Sequence, residues 1–236
     1  MKLQGWNITA WVAGIILLML TIFFVLSGWS AETITAGIDY TGRSSLFLFS
    51  IAFTALSVYS LWKTPFTTWT LRNRRYIGLS FAASHFIHLS LIVLISLNFP
   101  EPFLEDQSMG QWIFGGLGYV FVFLMALTST DRAQQWMGIK NWKRLHLIGS
   151  HWLWTVFLLT YVEHTREDPK FYIPFLVYTL ALLPLRLIKH TPSKAPHGQH
   201  PEITKLQVLS SKVSVLLVQT KPMGAKAINF QLCRTY

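Results

Sequence analysis

Arg74-Arg75-Tyr76-Ile77-Gly78-Leu79-Ser80-Phe81-Ala82-Ala83-Ser84-His85-Phe86-Ile87-His88 opens a run that stays apolar to residue 98. Two arginines mark one boundary, and two histidines lie well inside it. A stretch of roughly 18 or more apolar residues is long enough to cross a bilayer as a helix. An ionisable side chain within such a span is costly and marks a functional site by default. The pattern recurs once, in Lys143-Arg144-Leu145-His146-Leu147-Ile148-Gly149-Ser150-His151-Trp152. No other apolar stretch carries a charge or a histidine near its middle.

Working outward, apolar stretches at about 8–28, 43–62, 76–98, 111–129, 145–163 and 171–188 predict six spans. The expected fold is an all-α integral membrane six-helix bundle over 1–190, its last span interrupted by Pro174 and Pro184. Composition agrees: 52% of the 236 residues are hydrophobic and 13% charged, where a soluble domain carries about 25% charged residues. Lys2 before the first apolar run resembles a secretory signal, but the run is too long and lacks an A-x-A-type site. It is read as a retained helix. Cys233 is the sole cysteine, which leaves neither a disulfide framework nor a thiolate metal site.

The formal charge of +10 separates by side. Lys2, Lys63, Arg72, Arg74, Arg75, Arg132, Lys140, Lys143, Arg144, Arg186 and Lys189 all fall on the side of the N-terminus. The opposite side holds Arg43, Arg166 and Lys170, together with every acid except Asp131 and Glu202. The positive-inside rule then places both termini in the cytoplasm. The basic surplus orients the chain in a lipid bilayer and needs no nucleic acid to explain it. Trp29, Trp62, Trp69, Trp112, Trp136 and Trp142 fall near span ends, as an aromatic belt requires. The loop at 131–144 reads as a short interfacial segment, and no inverted repeat of the transporter kind is present. After His190 the chain turns rich in proline and then basic, which predicts a flexible cytoplasmic tail over 191–236. His190, His197 and His200 read as solvated tail residues.

Helix rise sets the depth of each histidine. Counted from Arg75, His85 lies ~15 Å and His88 ~20 Å into the membrane. Counted from Arg144, His146 lies ~3 Å and His151 ~10 Å in. Depth therefore favours pairing His85 with His151. At 100° per residue His85 and His88 share a face, whereas His146 and His151 are about 140° apart and cannot both point at one centre. His164, between acids and Arg166, reads as an interfacial histidine. Imidazoles on two helices are what a six-coordinate haem iron requires. Haem is preferred to a bare ion because no intramembrane carboxylate or thiolate accompanies them. Arg74, Arg75, Lys143 and Arg144 are placed to pair with propionates. Gly78, Ala82, Ala83, Ser84, Gly149 and Ser150 leave room for a flat macrocycle. The competing reading is that the histidines only hydrogen-bond between helices.

Arg74-Arg75-x-x-Gly78-Leu79 with His88, and Thr128-Ser129 with Trp142-x-x-Leu145-His146, resemble the ferric reductase-like transmembrane family. The family includes the haem subunit of the periplasmic methionine sulfoxide reductase system and, more distantly, the NADPH oxidases. The resemblance spans roughly 40–190, and Thr41-Gly42-Arg43 also matches. It implies His88 and His146 as haem ligands and a bacterial inner-membrane location. The family usually carries a further histidine 13 residues after the position of His146; here that position is Leu159. The expectation is therefore one haem b, with His85, His88, His146 and His151 as candidate iron ligands and Arg75 and Arg144 as candidate contacts.

No G-x-G-x-x-G follows a strand, and the tail is too short for a nicotinamide domain. Electrons are expected from quinol or a separate cytoplasmic reductase, with quinone or flavin bound transiently. The acceptor would be a periplasmic oxidoreductase, ferric iron or oxygen. No residue suggests acid–base substrate chemistry, so the chain reads as an electron-transfer subunit of the ferric reductase type. The alternative is a non-redox scaffold, assembly factor or small transporter whose histidines pack helices.

Overall fold

The computed structural model describes residues 3–100 and 109–188. The tail expected over 191–236, with His190, His197 and His200, lies outside the described residues. The described elements are all helical: α1 (Trp6–Ser27), α2 (Ala31–Leu61), α3 (Pro65–Asn98), α4 (Met109–Leu127), α5 (Asp131–Met137), α6 (Ile139–Glu167) and α7 (Pro169–Leu187). All but α5 are long and apolar enough to cross a membrane. The architecture is an all-α six-helix bundle with the character of an integral membrane protein. Its outer surface carries large apolar side chains such as Trp11, Leu18, Val25, Phe47 and Leu97, which suits a lipid environment.

Local chemistry sets the helix boundaries. Between α2 and α3 the chain turns in three residues, and Thr64 caps α3 with a reciprocal box: Thr67 N–H donates to Thr64 Oγ1 at 3.2 Å, and Thr64 N–H donates to Thr67 Oγ1 at 3.0 Å. Pro65 occupies the first helical position, where its missing N–H costs nothing. Ser30, Thr130 and Asp168 cap α2, α5 and α7 by each accepting one backbone N–H. Gly138, at φ 79°, turns the chain between α5 and α6 in a conformation that only glycine adopts freely.

Two helices extend beyond the expected spans, although the apolar part of α3, Arg74–Asn98, matches the span expected at 76–98. α2 starts twelve residues before 43 and α3 eleven before 76, because polar and charged residues extend both helices past their apolar cores. α7 runs unbroken through Pro174 and Pro184, where a break was expected; membrane helices tolerate proline when neighbours absorb the freed carbonyls. The segment at 131–144 divides into α5 and the first turn of α6.

The helices pack through small polar residues as well as apolar ones. Thr41, Ser45, Ser50, Ser57, Ser80 and Ser84 are buried, and Ser45 Oγ meets Ser84 Oγ at 2.9 Å across α2 and α3. Small residues allow close backbone approach where lipid offers no hydrophobic drive. One apolar cluster, built on Phe49, Phe53, Phe81, Leu153 and Phe157, joins α2, α3 and α6. A second, built on Leu20, Ile34 and Leu91, seats α1 on α2 and α3. Trp69 Nε1 donates to Leu3 O at 2.9 Å, Arg75 reaches Asp131, and Ser57 Oγ donates to Arg186 O at 3.4 Å. These contacts gather the starts of α1, α3 and α5 with the end of α7 at one basic end of the bundle.

Candidate functional site

The basic end holds a cavity of about 680 Å³ between α2, α3, α4 and α6, a size typical of small-molecule and cofactor sites. Its depth is apolar, with Phe49, Ala52 and Phe53 from α2, Gly78 and Ala82 from α3, and Val122 and Met125 from α4. Its mouth is basic, with Arg74, Arg75, Lys143 and Arg186 around Asp131. His146 and Trp142 stand on the α6 wall. A Cβ built on Gly78 would meet nothing within 4 Å, so this part of the α3 wall opens on free space.

The arginines are pinned by main-chain carbonyls. Arg74 Nε donates to Ala52 O at 2.8 Å, and Arg186 Nη1 donates to Phe53 O at 2.8 Å with its guanidinium over the Phe53 ring. Both use successive carbonyls of α2, which holds two positive charges at the cavity wall. Arg75 Nη1 donates to Asp131 Oδ1 at 2.8 Å, while its Nε–H is buried without a partner. A buried, unpaired donor on a charged group is uncommon and calls for a ligand or a water.

His146 is fixed from two sides. Its ring lies against Trp142 at 4.4 Å between centroids, and Trp142 Nε1 donates to Thr128 O at 2.9 Å. Nε2 lies 3.3 Å from Thr128 Oγ1. The Thr128 hydroxyl already donates to Leu124 O at 2.7 Å, so it accepts from Nε2–H and leaves the Nδ1 lone pair free. A metal-ligating histidine is commonly oriented by such a bond from its other nitrogen.

The remaining histidines sit elsewhere. His88 Nδ1 lies 3.0 Å from both Ile38 O and Thr41 Oγ1; the carbonyl can only accept, so Nδ1 carries the proton. A Cβ on Gly42 would come within 3.4 Å of His88 Cε1, so the glycine lets the ring lie close to α2. His85 is enclosed by Phe81, His88, Tyr119 and Phe157, with centroids 4.7–6.0 Å away, and its Nδ1 is buried with no partner. His151 Nδ1 turns back to Leu147 O of its own helix at 2.7 Å, and its ring meets Phe53 at 5.6 Å. His164 stacks on Tyr172 at 4.8 Å. The four candidate histidines do not converge on one point. His85 lies level with Phe157, six residues beyond His151 on α6, or ~9 Å.

Of the candidate contacts, Arg75 lines the cavity and Arg144 does not; Lys143 does. Arg186, Asp131 and Met125 also line the cavity, without having been singled out as site residues in the sequence. Arg186 was legible as a charge just after Pro184 at the basic end of the last span. Leu159, where the resembled family has a histidine, is 42% exposed and faces away from the core. Among the described residues no group of three or more His, Cys, Asp or Glu side chains could hold a bare metal ion. A haem finds in the cavity one imidazole, an apolar slot and cations for its propionates, but no second imidazole opposite the first. No protein-family model and no solved structure matches the chain.

Proposed function

We propose that this protein is a haem b-carrying electron-transfer protein of the bacterial inner membrane, which relays electrons from quinol or a separate reductase to an acceptor across the bilayer. The observation that carries this reading is the basic-end cavity, where His146, with a free Nδ1, shares an apolar slot with Arg74, Arg75 and Arg186. The resemblance to ferric reductase-like proteins supports it. Haem, when bound, supplies reversible one-electron chemistry.

The chain's own residues bind and orient. Thr128 and Trp142 hold the His146 ring. Lys143 and the arginines offer charge-assisted hydrogen bonds to carboxylates at the mouth, and a flavin or quinone headgroup would meet the same cations. From the cavity an aromatic column leads toward the other end of the bundle. Phe53 and Phe49 stack at 5.0 Å, Phe49 meets Phe81 at 5.4 Å, Phe81 meets His85 at 5.3 Å, and His85 stacks on His88 at 5.4 Å. These rings connect the cavity to the opposite half of the bundle, where a partner oxidoreductase, ferric iron or oxygen would accept the electron. A reduced-minus-oxidised spectrum of the purified protein tests the reading; absence of a haem b difference signal sinks it.

A second reading, a non-redox membrane scaffold, is favoured by one observation: His88 Nδ1 ties α3 to Ile38 and Thr41 of α2. Haem-free protein that still supports its cellular role would select it.

A further inference from the structure

We infer that a haem in the basic-end cavity is five-coordinate, with His146 its single protein ligand and the sixth position facing the wall made by α2 and α3. This rests on the haem reading above and departs from the paired-imidazole arrangement that the two histidine-bearing spans suggest. The side chains that α2 and α3 bring to the cavity are Phe, Ala, Gly, Leu and Arg. None of these is an iron ligand, since a guanidinium stays protonated and has no lone pair to give.

The cavity's one carboxylate, Asp131, is taken up by Arg75 at 2.8 Å, and the thioether and amine that could also ligate stand on the same side as His146. A Cβ on Gly149 would lie 2.9 Å from Met125 Sδ, so the thioether is turned to α6, three residues along from His146. Lys143 is also three residues from His146, on the same helix face. His151, His88 and His85 do not line the cavity; His151 is bound to its own helix, and His88 and His85 stand farther along the bundle. On the α3 wall, the open space over Gly78 admits a diatomic molecule.

The experiment uses the full-length protein purified with its haem in detergent or nanodiscs. Ferric protein is expected to show a high-spin spectrum, and ferrous protein to bind carbon monoxide completely. His88→Ala and His85→Ala are expected to leave both properties unchanged. Gly78→Leu fills the open space and is expected to weaken carbon monoxide binding on the order of tenfold or more while haem is retained. A low-spin spectrum refractory to carbon monoxide, converted to high-spin by His88→Ala, overturns the inference and leaves the haem reading standing. Failure to bind haem at all overturns both.

Discussion

The two histidine-bearing halves of the bundle differ in what surrounds the imidazole. His146 borders empty, basic-rimmed space, with one ring nitrogen committed to Thr128 and the other free. His85 and His88 are embedded in protein: one is caged by aromatic rings, the other bonded to the α2 backbone. Both halves carry an intramembrane histidine, and the membrane penalty applies to both. A buried imidazole borders a binding cavity where the packing leaves a gap, as at His146; where it does not, it bonds between helices, as at His88, or is left without a partner for Nδ1, as at His85.

The largest effect expected from this contrast is at His146. His146→Ala should remove haem almost entirely while helix content by circular dichroism stays near wild type; full haem retention would move the site to the other half. Next is Thr128→Val, which keeps the shape but removes the acceptor that orients His146. Haem affinity should fall roughly 10- to 100-fold, as for other partners that orient a metal ligand, measured by haem transfer to apomyoglobin. His88→Ala should invert the pattern, with haem retained and stability lowered by about 1–2 kcal/mol, as interhelical hydrogen bonds in membranes are worth roughly 0.6–1.7 kcal/mol each. Denaturant titration in mixed micelles measures it, and unchanged stability would remove His88 from the packing account. The smallest difference separates two glycines. Gly78→Ala meets open space and should gain about 0.5–1 kcal/mol of helix preference. Gly42→Ala brings its methyl to the His88 ring and should gain nothing.

The six spans were legible because apolar length is a one-dimensional property, and a bilayer converts it directly into helices. The ends of α2 and α3 were not, because Glu32, Asp39, Arg72 and Arg74 extend helices that hydropathy alone would stop. Arg75 could be placed at the site from its charge, and His146 from the family resemblance, since depth alone favoured His85 with His151. Arg186 and Asp131 could not, since their approach depends on how the end of α7 and the start of α5 fold back over α2 and α3. Helix rise counted from the flanking basic residues pairs His85 with His151, whereas in the bundle His85 packs level with Phe157, six residues farther along α6.

The three-residue turn closed by Thr64 and Thr67 has a mechanical consequence. It locks α2 and α3 into a stiff hairpin, further riveted by Arg74 on the Ala52 carbonyl. The cavity therefore has one wall on this hairpin and faces, across the gap, α4, the short α5 and the start of α6. The hairpin reaches α5 through an ion pair between Arg75 and Asp131, whose carboxylate side is 80% exposed. Such surface pairs are worth little, so this contact adds little to holding α5 against the hairpin.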